Sequence, residues 1–71
     1  MNKYLTTDNK QDKITHIFTR AEEAQSAGDL TTALNLYTSI LEIDANNHTA
    51  LHHITMLQNI LNYRYKEYLN P

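Results

Sequence analysis

The sequence predicts an all-α protein, an antiparallel helical hairpin followed by a third long helix. Three observations carry this. The 71 residues contain one glycine, Gly28, and one proline, Pro71, whereas sheets and irregular loops draw heavily on both. Apolar residues recur at three- and four-residue spacing in three successive stretches. Asp29 and the run Asp44-Ala45-Asn46-Asn47 provide side chains that cap helices and bond turn backbone at the two breaks between those stretches.

Residues 1–8 lack periodicity and read as a flexible N-terminus. Residues 9–71 read as a single three-helix domain. Asp8 followed by Gln11 resembles a capping box with Asp8 as N-cap, so the first helix is expected over residues 9–26. Ile14, Ile17, Phe18, Ala21 and Ala24 form a narrow apolar stripe on it, about a third of the circumference. Glu22 and Glu23 fall off the stripe. Gly28 ends the helix, because glycine enters the left-handed region at low cost.

The second helix is expected over residues 30–43, capped by Asp29. Leu30, Ala33, Leu34, Leu36, Tyr37, Ile40, Leu41 and Ile43 cover about half of its wheel. Thr31, Thr32, Asn35, Thr38, Ser39 and Glu42 make the wet half. The third helix is expected over residues 48–68. Its apolar residues, from Ala50 and Leu51 through Ile54, Met56, Leu57, Ile60 and Leu61 to Tyr63, Tyr65, Tyr68 and Leu69, cover roughly two-thirds of the wheel. One helix pair cannot cover that much apolar surface.

Composition narrows the function. Six basic and eight acidic residues give a net charge of −2, without the concentrated basic face that nucleic acid requires. The same scatter argues against membrane-surface binding. No apolar run approaches the roughly 20 residues that cross a bilayer. Met1 to Asp12 lacks a signal-peptide centre, so cytoplasmic residence is the expectation. Asn47-His48-Thr49 has the form of a glycosylation sequon, read here as a chance match. The absence of cysteine removes disulfides and thiolate metal sites. A chain this short has a small core, and oligomerisation is the remaining common support.

Residues 17–51 resemble a tetratricopeptide repeat. The resemblance rests on Gly28-Asp29, Ala33-Leu34, Tyr37, Ile40-Leu41, Asp44, Asn46-Asn47 and Ala50-Leu51. It implies that Ala33 lets two helix backbones approach while Tyr37 fills the gap beside it. It also implies that Ile17, Ala21, Ala24, Gly28, Ala33, Tyr37 and Ile40 form the packing set of the repeat. The first helix departs from the family pattern: Ile17 stands where the family favours tryptophan, Arg20 where it favours leucine, Ala21 where it favours glycine and Ala24 where it favours tyrosine. Ala45 replaces a usual proline. In this register the third helix would open a second repeat that the chain does not complete. The resemblance implies protein binding, including peptide binding on a concave surface.

Catalytic signals are weak. His48 and His52 share a helical face at a spacing that can hold a metal, but no acidic third ligand lies on that face, and the pair reads as two exposed histidines. Ser26 and Ser39 have no nucleophile motif around them. No glycine loop can cradle a phosphate. Neither metal, cofactor nor catalytic residue is expected, and binding is favoured over catalysis. The expected interface is the second face of the third helix, with His53, Met56, Ile60, Tyr63 and Arg64, joining a second copy as a homodimer or docking a helical or peptide partner. A small peptide-binding chaperone or regulator is the alternative. A metal-dependent enzyme built on His48 and His52 is the more distant one.

Overall fold

The computed structural model describes the backbone of residues 2–69 and the side chains of residues 9–64. It is all-α. Helix α1 spans Asn2–Ser26, α2 Leu30–Ile43 and α3 His48–Leu69. There is no strand among the described residues. Helix α2 is central, packing against α1 on one side and α3 on the other.

The first break is a Schellman motif. Asp29 N–H donates to Ala24 O at 2.9 Å and Gly28 N–H to Gln25 O at 3.0 Å, the crossed pair that closes a helix end. The motif needs a left-handed residue, and Gly28 has φ +84°. A β-carbon there would meet no atom within 4 Å, so the backbone angle alone demands glycine. Asp29 then starts α2. Its carboxylate accepts from Thr32 N–H at 3.3 Å, and its carbonyl accepts the first helical bond from Ala33 N–H at 3.1 Å. A link this short turns the chain back along itself.

The second break is held by backbone and side-chain bonds. Asp44 N–H donates to Ile40 O, and Asn47 N–H donates to Asp44 O. Asn47 caps α3, its Oδ1 accepting from Ala50 N–H at 2.9 Å. Its amide nitrogen reaches Asp44 Oδ2 at 3.5 Å. The asparagine of the Asn47-His48-Thr49 sequon is thus engaged at both ends of its side chain.

The buried core is Ile14 and Ala21 from α1, Ala33, Tyr37 and Ile40 from α2, and Ala50, Ile54 and Leu57 from α3. Ile17, Phe18, Ala24, Leu30, Leu34 and Leu36 pack on it half-buried. Alanine at the contact point of each helix lets the axes approach. The wet face of α2 is self-satisfied: the hydroxyls of Thr38 and Ser39 donate to Leu34 O and Asn35 O in their own helix.

One boundary differs from expectation. Helix α1 begins at Asn2 rather than residue 9, so Asp8 lies inside the helix and does not cap it. Nothing between Asn2 and Asp8 is glycine or proline, and an interior aspartate lowers helix propensity only modestly. The expected separation of residues 1–8 as a flexible segment concerns residues whose side chains lie outside the described set, as do those of Tyr65 and Tyr68. Helix α3 ends one residue beyond the expected limit.

Ala33 is fully buried, and a larger side chain there must push the helices apart. Ala33→Leu is expected to lower stability by about 1–3 kcal/mol, measured by urea unfolding. An unchanged midpoint would show that the site has slack.

Candidate functional site

Helix α3 carries two stripes. Ala50, Ile54 and Leu57 face α2 and are buried, with Leu61 half-buried behind them. Thr49, His53, Met56, Ile60 and Tyr63 follow one another at alternating spacings of four and three, and so share a second side. From His53 onward exposure grows toward the C-terminus: Met56 is half-buried, Ile60 is 37% exposed and Tyr63 is 64% exposed. Arg64, next to Tyr63, is exposed. Leu51, 40% exposed, lies on neither stripe.

His53 departs from its expected place beside Met56 and Ile60. Its ring turns inward and stacks on Tyr37, with centroids 4.5 Å apart and planes at 11°. Phe18 meets both rings edge-on, at 5.3 Å from Tyr37 and 5.5 Å from His53. Stacked and edge-to-face rings attract, and this cluster holds the His53 ring inward. His53 Nδ1 is buried and makes no hydrogen bond among the described residues. The outer part of the flank is therefore Met56, Ile60, Tyr63 and Arg64.

Tyr37 is the most constrained side chain. It is fully buried, and its hydroxyl donates to Gln25 Oε1 at 3.1 Å. Burial raises its pKa above the ordinary 10.0, and the Glu22 charge pushes in the same direction. Sequence reasoning found Tyr37 but missed its partners. Gln25 sits off the apolar stripe of α1, and His53 was expected at the interface on the second face of α3.

A shallow groove of about 330 Å³ runs beside α1. It is lined by Gln11, Ile14, Thr15, Phe18, Thr19 and Glu22, with Asn47 and Thr49 at the head of α3. Its lining mixes hydroxyl, amide and carboxylate groups with the apolar surface of Ile14 and Phe18. Thr19 is already committed, its hydroxyl donating to Thr15 O at 3.0 Å.

His48 and His52 are both exposed, and among the described residues no three histidine, aspartate or glutamate side chains come together as metal ligands. Ser26 is exposed, Ser39 is half-buried, and Glu22 and Glu23 are exposed. Among the described residues no helix is long and apolar enough to cross a membrane. Comparison with protein-family models, with curated proteins and with solved structures finds no match to the chain.

Two outcomes are expected from this geometry. The raised Tyr37 pKa means that the protonated phenol favours the folded state. Its contribution is fully present below pH 10 and is lost as pH rises through the folded-state value. Urea unfolding between pH 8 and pH 11 should therefore show a loss of stability that is smaller in Tyr37→Phe, which at neutral pH forfeits about 0.5–1.5 kcal/mol with the Gln25 bond. Zinc at modest excess should leave the melting temperature unchanged, since two exposed imidazoles make a poor site. A large rise abolished by His48→Ala would restore the metal reading.

Proposed function

We propose that this chain is a non-enzymatic protein-interaction module that associates with a second copy of itself through the outer flank of α3. The observation that carries the proposal is the exposed run of Ile60 and Tyr63, continuous with half-buried Met56 and flanked by Arg64. The inner stripe of α3 is already paired with α2. A second apolar side on the same helix is what an interface supplies and a solvated helix lacks. Tyrosine and arginine are also the residue types that dominate interface energetics.

The like-with-like arrangement follows from the spacing. A stripe at alternating four and three residues matches the seam by which two helices interdigitate, and a twofold axis buries one patch against its copy. The tetratricopeptide-like reading of residues 17–51 supports binding over catalysis. In its favour are the left-handed Gly28, the buried Ala33 and the buried Tyr37, at the positions that carry the resemblance. In this proposal the module works in the cytoplasm as an adaptor.

A second reading has its own observation. The groove beside α1 and the head of α3 is where a small peptide-binding chaperone or regulator would hold an extended segment.

Sedimentation equilibrium at tens of micromolar separates these. Wild type is expected at dimer mass and Ile60→Glu at monomer mass, with unchanged helicity by circular dichroism. A monomeric wild type sinks self-association and leaves the groove reading to be tested by peptide titration.

A further inference from the structure

The contacts of α3 are unevenly distributed. Among the described residues no α-carbon of α1 comes within 8 Å of one in α3, whereas both helices approach α2 closely. Helix α3 is therefore joined to α1 through side chains, and the ring contact of Phe18 with His53 is the bridge. The same two rings close over Tyr37, so one aromatic cluster ties α3 to both of its neighbours.

That cluster has a weak member. His53 brings a buried nitrogen with no hydrogen-bond partner among the described residues, and an unpaired buried polar atom costs free energy that its undocking would recover. The hairpin has no such flaw. Its link is a fully bonded Schellman turn, and the Tyr37 hydroxyl is paired within the hairpin, to Gln25 of α1. Losing α3 leaves that bond and the Ala21–Ala33 contact region in place.

We propose that Phe18, Tyr37 and His53 form an aromatic latch whose release frees α3 as a unit while the α1–α2 hairpin stays formed. Release uncovers Ile54 and Leu57 on the inner stripe of α3 and the Tyr37 ring on α2. The latch thereby sets how much apolar surface the third helix offers at any moment. Local opening of one structural unit below the global unfolding energy is the general form of such behaviour.

The test is native-state hydrogen exchange followed by NMR on the full chain, carried in the Ile60→Glu background so that self-association does not protect α3. The expected result is exchange of the Ile54 and Leu57 amides about tenfold or more faster than those of Tyr37 and Ile40. Ala24→Gly weakens only the hairpin, so it should speed exchange in α2 by about fivefold and leave α3 unchanged. His53→Phe keeps the ring and removes the unpaired nitrogen, and should slow exchange in α3 by about tenfold. Equal rates in α2 and α3, or an Ala24→Gly effect shared equally by both, would show a single cooperative unit and overturn the proposal. A His53→Phe variant that exchanges as fast as its parent would remove the unpaired nitrogen as the weak point and overturn the latch in this form.

Discussion

The Tyr37 ring sits where α1, α2 and α3 come nearest one another, and its complete burial sets the spacing of all three. A tyrosine can occupy that place only if its flat faces are covered and its hydroxyl is satisfied. Both conditions are met from other helices. His53 of α3 lies on one face, Phe18 of α1 meets the ring edge-on, and Gln25 of α1 accepts the hydroxyl proton. The alanines follow from the same constraint. Ala21 and Ala33 are fully buried, because helices held close enough to bury this ring leave no room for larger side chains at the crossing.

The core around Tyr37 is small, and that gives surface features unusual weight. Among the described residues the large buried side chains are Ile14, Tyr37, Ile40, Ile54 and Leu57; the other buried residues there are alanines. A fully buried aliphatic or aromatic side chain contributes about 1.5–3 kcal/mol, and the ordering of the backbone cancels most of any such sum. In so lean a structure, one further apolar side chain covered at an interface is comparable to a core residue. Ile60 and Tyr63, both exposed, are therefore an untapped source of stability.

The two links hold the arrangement by different means. At Gly28 the backbone angle is decisive, and space is not. At Asn47 the side chain is decisive, capping α3 while bonding back to Asp44. Both links hold their helix ends with local hydrogen bonds. What remains adjustable is the seating of α3, which α2 and the aromatic cluster decide between them.

Much of this was legible from residue order. Gly28, Asp29 and Asn47 are local devices whose effect depends on a few neighbouring atoms, so the sequence alone determined both links and the ends of α2. Helical spacing likewise placed Ala33, Tyr37 and Ile40 within the broad apolar half of α2, and Ile54 and Leu57 among the apolar residues of α3; the resemblance, not the spacing, singled out Ala33, Tyr37 and Ile40 for packing. The start of α1 was not legible, because Asp8 serves equally as a cap or as an ordinary helical residue and local chemistry does not choose. The rotation of His53 was not legible either. Its position on the helical wheel lies between the inner stripe and the outer flank, and only the rings of Phe18 and Tyr37, brought from two other helices, hold it inward. Tertiary structure also decided that Gln25 would receive the Tyr37 hydroxyl, since that pairing joins residues on different helices that no periodicity connects.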